Sequence, residues 1–128
     1  FEGCTDCTLT GSNIHDAYAG EHTANTPVKI ERKGLVEIHD CKRMIVSACQ
    51  ILDPGLPGIH LKNCDLVNIQ GCSILDGHDA PKMPHAILWE GPGTANQISG
   101  CTLSTGTGGA INAAVEANVK IGDNLETT

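Results

Sequence analysis

The chain has 128 residues, enough for one domain with a modest core, and 40% of them are hydrophobic although only one Phe, one Tyr and one Trp occur. Its formal net charge of -7 repels nucleic-acid phosphates and anionic bilayers, so neither is expected as a partner. No apolar run approaches the roughly 18 residues of a membrane-spanning helix. The interior must therefore consist of Ile, Leu, Val, Ala and Cys, which suits stacked aliphatic layers better than a helical bundle.

One residue pattern recurs five times along the chain. Its anchor positions are Leu9, Val46, Ile69, Ile98 and Ile121. A second set follows five residues later, at Ile14, Ile51, Ile74, Leu103 and Glu126. The anchors indicate one period of about 23 residues with two insertions, which we place after Ile14 and Ile74 and before strands that open at Val36 and Leu88. Loops that vary in length at one fixed position of the repeat, while the strands keep their register, are typical of a solenoid.

Short strands are predicted from apolar pairs at a spacing of two residues, as in Val36/Ile38 and Ile59/Leu61. Such strands must pair in parallel with their equivalents one coil away, at about 4.8 Å per coil. We therefore predict an all-β fold, a right-handed single-stranded parallel β-helix (solenoid) of about five coils. It is expected to form a single domain over residues 1–128, with loop insertions near 17–33 and 77–86. Because Phe1 already lies within a coil, we interpret the chain as a fragment of a longer, extracellular or cell-surface protein.

The segments 58–64 (GIHLKNC) and 69–74 (IQGCSI) resemble the repeats of pectate-lyase-like right-handed β-helix proteins. The resemblance covers nearly the whole chain and concerns architecture, which many activities share. It implies a link to polysaccharides, on which proteins of this fold act as lyases, hydrolases or epimerases. The lyases generally use a basic residue, but Arg32 and Arg43 fall away from the acidic positions described below. The paired-Asp motifs of the pectin-hydrolase branch are absent, and His78-Asp79 is similar to the His-Asp segments of the alginate-epimerase branch.

Six of the seven cysteines fall into two columns in phase with the inward aliphatic positions. The columns are Cys4/Cys41/Cys64 and Cys49/Cys72/Cys101. We expect buried, unreactive thiols there rather than a metal or redox site. Cys7 lies outside both columns and is predicted to occupy a corner as the most reactive thiol.

An acidic column stands seven residues after the first three anchors, at Asp16, Asp53 and Asp76. Carboxylates stacked about 4.8 Å apart repel one another unless a cation or hydrogen-bond donors compensate their charge. These three residues are the candidate metal ligands, with Ca²⁺ as the candidate ion. The other interpretation is turn chemistry, in which the carboxylates of Asp53-Pro54 and Asp76-Gly77 cap their own backbone.

Four of the six histidines gather on the same edge, two of them in the second loop. The catalytic candidates are Asp76, His78 and Asp79, because a His paired with an Asp forms a general base. The substrate-binding candidates are Asp53, His85 and Trp89. Trp89 follows the second loop and is interpreted either as a sugar-stacking platform or as the cover of a coil edge.

Two functional hypotheses follow. The first is a carbohydrate-interacting β-helix that binds a polysaccharide or oligosaccharide through the loop edge, with lyase, hydrolase or epimerase chemistry if it is an enzyme. The second is a non-catalytic structural or adhesive solenoid of a larger protein. Open coil ends expose unpaired strand edges, so end-to-end self-association or packing on the remainder of the parent chain is expected in either case.

Overall fold

The structure is a computed structural model, and it describes residues 1–15 and 32–128. Its strands form three parallel sheets, here named A, B and C, and successive strands along the chain belong to them in that order. Sheet A contains β3 (Val36–His39), β6 (Ile59–Lys62), β9 (Ile87–Glu90) and β12 (Ile111–Ala113). Sheet B contains β1 (Thr5–Thr10), β4 (Lys42–Ser47), β7 (Asp65–Gln70), β10 (Asn96–Ser99) and β13 (Val119–Ile121). Sheet C contains β2 (Asn13–His15), β5 (Gln50–Leu52), β8 (Ser73–Leu75), β11 (Thr102–Ser104) and β14 (Leu125–Thr127).

The pairing register confirms the predicted repeat. In sheet B the five anchor positions lie opposite one another from coil to coil, beginning with Leu9 opposite Val46 and Val46 opposite Ile69. The second set is paired in the same way in sheet C, from Ile14 to Glu126. The prediction of an all-β parallel solenoid of about five coils is therefore confirmed. Among the described residues, helix is confined to a short 3-10 segment, Val115–Ala117, and no helix is long and apolar enough to span a bilayer.

The second insertion is divided between two places rather than lying in one loop. From Ile74 to Ile87 the chain advances 13 residues, against eight from Ile51 to Ile59, so the loop itself carries five extra residues. The sixth extra residue lies in the corner 91–93. Glu90 pairs with Lys62 and Thr94 pairs with Asp65, so this corner is one residue longer than the equivalent corner between Lys62 and Asp65. The predicted strand opening at Leu88 is therefore wrong by one residue, and β9 opens at Ile87.

The core lies between the three sheets and is built from the inward-facing members of each strand. Its fully buried members include Ile38, Met44, Val46, Ile51, Leu61 and Ile69. A buried asparagine, Asn96, joins three coils: its Oδ1 accepts from Val67 N–H, and its Nδ2 donates to Cys64 O and Ala117 O. Since a buried backbone group without a partner is costly, these bonds stabilise a corner that the strands themselves leave unpaired.

The cysteine columns lie inside the coils as predicted, and all seven cysteines are free thiols. Five of them are at most 2% exposed, namely Cys41, Cys49, Cys64, Cys72 and Cys101. The position predicted for Cys7 is wrong. It lies within β1 opposite Met44, half-buried against the core, rather than at a corner. Removal from water and the neighbouring Cys4 thiol raise the pKa of Cys7, which disfavours the reactive thiolate.

Candidate functional site

The loop edge consists of the connections that lead from sheet C back to sheet A. Asp53 and Asp76 open two successive connections at equivalent positions, because Leu52 pairs with Leu75 and Asp53 N–H donates to Leu75 O at 2.8 Å. The structure thus brings these two members of the acidic column together. Asp16, the third predicted member, lies outside the described residues.

Asp76 is the anchor of the second loop. Its side chain is 1% exposed, and its Oδ1 accepts from His78 N–H and from His78 Nδ1 at 3.1 and 2.5 Å. Its Oδ2 accepts from the backbone N–H groups of Lys82 and Met83 at 2.7 and 2.8 Å. Burial by itself raises the pKa of Asp76, but these hydrogen bonds outweigh it and lower the pKa to about 2. The carboxylate is therefore ionised at neutral pH, and its acceptor positions are occupied by the loop.

His78 is held by this carboxylate with its other ring nitrogen available. The ring is 26% exposed, and its Nε2 has no hydrogen bond to the described residues. Since an ionised carboxylate only accepts, Nδ1 carries the proton of the neutral ring, which leaves a lone pair on Nε2. An imidazole oriented in this way by a buried Asp is the arrangement of a general base.

Asp53 lies beside this pair and is more exposed than Asp76. Its Oδ1 accepts from Gly77 N–H at 2.6 Å, and its Oδ2 accepts from His15 Nε2 at 3.0 Å. These two contacts lower the pKa of Asp53, with the Gly77 bond making the larger contribution. One ligand atom each of Asp53, Asp76 and His78 lie within 4.8 Å of one another. The expected capping of the residue's own turn is present at Asp76, which accepts from backbone N–H groups of its own loop. It is wrong for Asp53, whose carboxylate accepts from Gly77 and His15 on the two neighbouring coils.

Two other loop candidates lie apart from this cluster. Asp79 is exposed and makes no hydrogen bond or ion pair to the part of the chain that the structure describes. His85 is half-buried against the next connection, where its Nδ1 donates to Gly109 O at 2.8 Å and its Nε2 lies 3.4 Å from Asn112 Nδ2. The structure therefore gives His85 contacts within the fold but none with His78.

Trp89 does not lie on the surface, and its interpretation as a sugar-stacking platform is corrected. Its side chain is 1% exposed in the core, opposite the inward-facing Leu61 in sheet A. The reason is the extra residue in the corner 91–93: with β9 opening at Ile87, Ile87 and Trp89 point inward and Leu88 points outward.

Sequence reasoning missed a second cluster, on the outer face of sheet A. His60 is 1% exposed, although its inward neighbours Ile59 and Leu61 place it on the outside of the coil. Its Nε2 contacts Glu90 Oε2 at 2.9 Å and its Nδ1 contacts His39 Nε2 at 2.8 Å. Glu37 lies opposite His60 in the neighbouring strand. The signal was present in the sequence. If Val36/Ile38 and Ile59/Leu61 point inward, strand alternation places Glu37, His39 and His60 on the outer face.

Comparison with known proteins agrees with the architecture. A family model described as a right handed beta helix region matches residues 1–126. No curated protein and no solved structure matches the chain. With its parallel sheets, its 23-residue repeat and a match over almost its whole length, the chain belongs to the right-handed β-helix family.

Proposed function

We propose that the chain is a carbohydrate-interacting β-helix that acts through its loop edge, with His78 as the residue that moves a proton. The observation that carries this proposal is the pair formed by buried Asp76 and half-exposed His78. Asp76 fixes the ring and stabilises the imidazolium that forms when Nε2 accepts a proton. The loop edge is also where the coil length varies, and functional residues are concentrated on such loops.

The geometry supports proton transfer at a sugar as the reaction. In a lyase or an epimerase, Nε2 takes the proton beside a uronate carboxylate. In the lyase, the electron pair left on carbon expels the neighbouring glycosidic oxygen, which takes a proton from the imidazolium. In the epimerase, water protonates the carbon from the opposite face, and the imidazolium returns its proton to solvent. In a hydrolase, the same nitrogen takes a proton from the attacking water. Ionised Asp53 accepts hydrogen bonds from sugar hydroxyls, but it repels a uronate unless a cation bridges the two charges.

The alternative is a structural or adhesive solenoid without catalysis. It is favoured by the use that the fold itself makes of these residues. All four hydrogen bonds to Asp76 hold its own loop, and Trp89 belongs to the core rather than to a sugar platform.

The test compares the wild-type chain with His78→Asn, which keeps a donor near Asp76 but removes the Nε2 base. Lys42→Gln, at an exposed position of sheet B, is the matched control. Each protein is incubated with acidic and neutral oligosaccharides, and both binding and products are measured. We expect unchanged binding in both variants and a loss of turnover of about 100- to 10,000-fold in His78→Asn alone.

Two outcomes contradict the proposal. Equal turnover of wild type and His78→Asn removes His78 from the chemistry. Failure of a cooperatively folded wild-type chain to bind any oligosaccharide of the panel leaves the structural solenoid as the better account.

A further inference from the structure

One carboxylate and two imidazoles share the outer face of sheet A. Glu37 and His39 are two residues apart on β3 and therefore point the same way, and His60 on β6 lies opposite Glu37. One oxygen of Glu37 and one ring nitrogen of each histidine lie within 4.8 Å of one another. Ligand atoms around a tetrahedral zinc ion, with bonds of about 2.0–2.1 Å, are separated by about 3.4 Å. The three ligand atoms, at most 4.8 Å apart and 2.8 Å apart between the two histidine nitrogens, therefore lie close to the separations that one ion requires.

Glu90 is a second, independent indication of a metal site. Its Oε2 accepts from His60 Nε2 at 2.9 Å. Because a carboxylate oxygen accepts, this bond keeps the proton of neutral His60 on Nε2, and Nδ1 presents a lone pair towards His39. Histidines that ligate metals almost always donate their other ring N–H to a carboxylate, a carbonyl or water.

The surroundings of His60 hold it in place. Its side chain is 1% exposed, and a methyl group at Gly34 would come within 2.7 Å of His60 Cβ, so the chain at Gly34 packs against the base of this side chain. Without an ion, His39 Nε2–H donates to His60 Nδ1 at 2.8 Å. To ligate an ion, neutral His39 needs only to carry its proton on Nδ1 instead of Nε2. Binding therefore requires a change of tautomer and no large movement of the backbone.

The donor set also selects the class of ion. Two imidazoles and one carboxylate suit Zn²⁺ and its neighbours Co²⁺ and Fe²⁺, whereas Ca²⁺ and Mg²⁺ prefer oxygen ligands throughout. We propose that Glu37, His39 and His60 form a site for a first-row divalent ion, with Zn²⁺ as the expected occupant and Glu90 as the residue that positions His60. This site is separate from the loop edge and does not depend on the function proposed there.

The experiment titrates the folded chain with Co²⁺ and with Zn²⁺. Bound Co²⁺ absorbs visible light, and a thiolate ligand adds a charge-transfer band in the near ultraviolet, so the spectrum distinguishes this site from the cysteines. We expect one ion per chain without a thiolate band. His39→Gln and Glu37→Gln, at half-exposed positions, should each lower the affinity by about 100-fold or more, and Glu90→Gln by about 10- to 100-fold.

Two control variants locate the ion. Cys4→Ser/Cys7→Ser removes the more accessible thiols, and His15→Gln/Asp53→Asn alters the loop edge; both should bind the ion as the wild type does. The proposal is overturned if no ion binds, if the thiolate band appears, or if either control loses the ion while His39→Gln keeps it. Equal affinities of Glu90→Gln and the wild type overturn the positioning role of Glu90.

Discussion

At the residue scale, Trp89 combines a large apolar ring with an unpaired polar atom. It is the single tryptophan of the chain, and its buried Nε1–H has no hydrogen-bond partner among the described residues. A buried donor without a partner costs about 1–3 kcal/mol. Because the indole is nevertheless buried in the core, its contacts with the aliphatic side chains must offset that cost.

Replacing Trp89 separates these two effects. We expect Trp89→Ala to lower the free energy of unfolding by about 3–5 kcal/mol because it leaves a cavity. Trp89→Phe should cost less than half as much, because it keeps a ring and removes the unpaired N–H. Urea unfolding followed by circular dichroism measures both. Val115→Ala, at a side chain 92% exposed, is the control and should stay within about 0.5 kcal/mol of wild type. A cost for Trp89→Ala as small as that of the control would place the indole outside the core.

Asp76 predicts a dependence of stability on pH. Its pKa of about 2 lies below the ordinary value of 3.8, so the stability it contributes is present above about pH 4 and is lost as the pH falls towards 2. Asp76→Asn should be less stable than wild type by about 1–3 kcal/mol at neutral pH. That difference should shrink between pH 4 and pH 2.

Thermal unfolding across this pH range measures the effect. Asp79→Asn, at the exposed neighbour, is the control and should stay within about 0.5 kcal/mol of wild type at neutral pH. If the difference in unfolding temperature between wild type and Asp76→Asn stays constant down to pH 2, the Asp76 carboxylate does not make the hydrogen bonds that the structure describes.

At the element scale, the corners and the loops of each coil obey different constraints. The corner between sheets B and C has a residue with positive φ at one position of the first four coils, such as Gly71 at 62° and Gly100 at 64°. Ala48 occupies the same position at 52°, where a Cβ is unfavourable. The connections from sheet C to sheet A have no such fixed length, as the loops before β6 and β9 show.

Insertions should therefore be tolerated in one connection and not in the other. A Gly-Ser dipeptide inserted after Gly55, where no atom lies within 4 Å of an added Cβ, should lower the free energy of unfolding by less than about 1 kcal/mol. The same two residues inserted after Ala48 should cost several times more, because they move Cys49 and Gln50 out of the coil register. Urea unfolding of the two insertion variants measures the contrast. Equal costs would mean that the loop edge is as constrained as the corners.

At the scale of the whole molecule, the stacked coils close off most of the thiols. Five cysteines are buried in two columns and two are half-buried in the first coil. Burial also raises the pKa of the Cys41 and Cys64 thiols, so both access and thiolate formation are disfavoured.

Thiol titration with an aromatic disulfide reagent tests this arrangement. We expect at most two of the seven cysteines, Cys4 and Cys7, to react in the folded chain, and all seven to react in denaturant. The Cys4→Ser/Cys7→Ser variant should then show almost no reaction before unfolding. Rapid reaction of more than two thiols in the native chain would contradict the stacked core.

Much of this molecule could be predicted from its sequence because a solenoid repeats its geometry. Equivalent residues recur at one spacing, so the anchors from Leu9 to Ile121 identify the register of sheet B without knowledge of the structure. The turn sequence Asp76-Gly77 likewise indicated the capping contacts of the second loop. The residue types made Asp76, His78 and Asp79 candidates for a His–Asp pair, but only the structure showed that Asp76 is the partner, through a 2.5 Å contact with a buried carboxylate.

The sequence by itself determined the architecture, since short alternating strands at a fixed period have few ways to bury their apolar faces. Only the tertiary structure decided where one extra residue is accommodated. Its place in the corner 91–93 turned Trp89 inward. The tertiary structure also showed that His60 contacts both His39 and Glu90, which lie on the coils before and after it. The physical reason is that strand periodicity specifies the face of a residue, whereas contacts between coils depend on register and on the path of the loops.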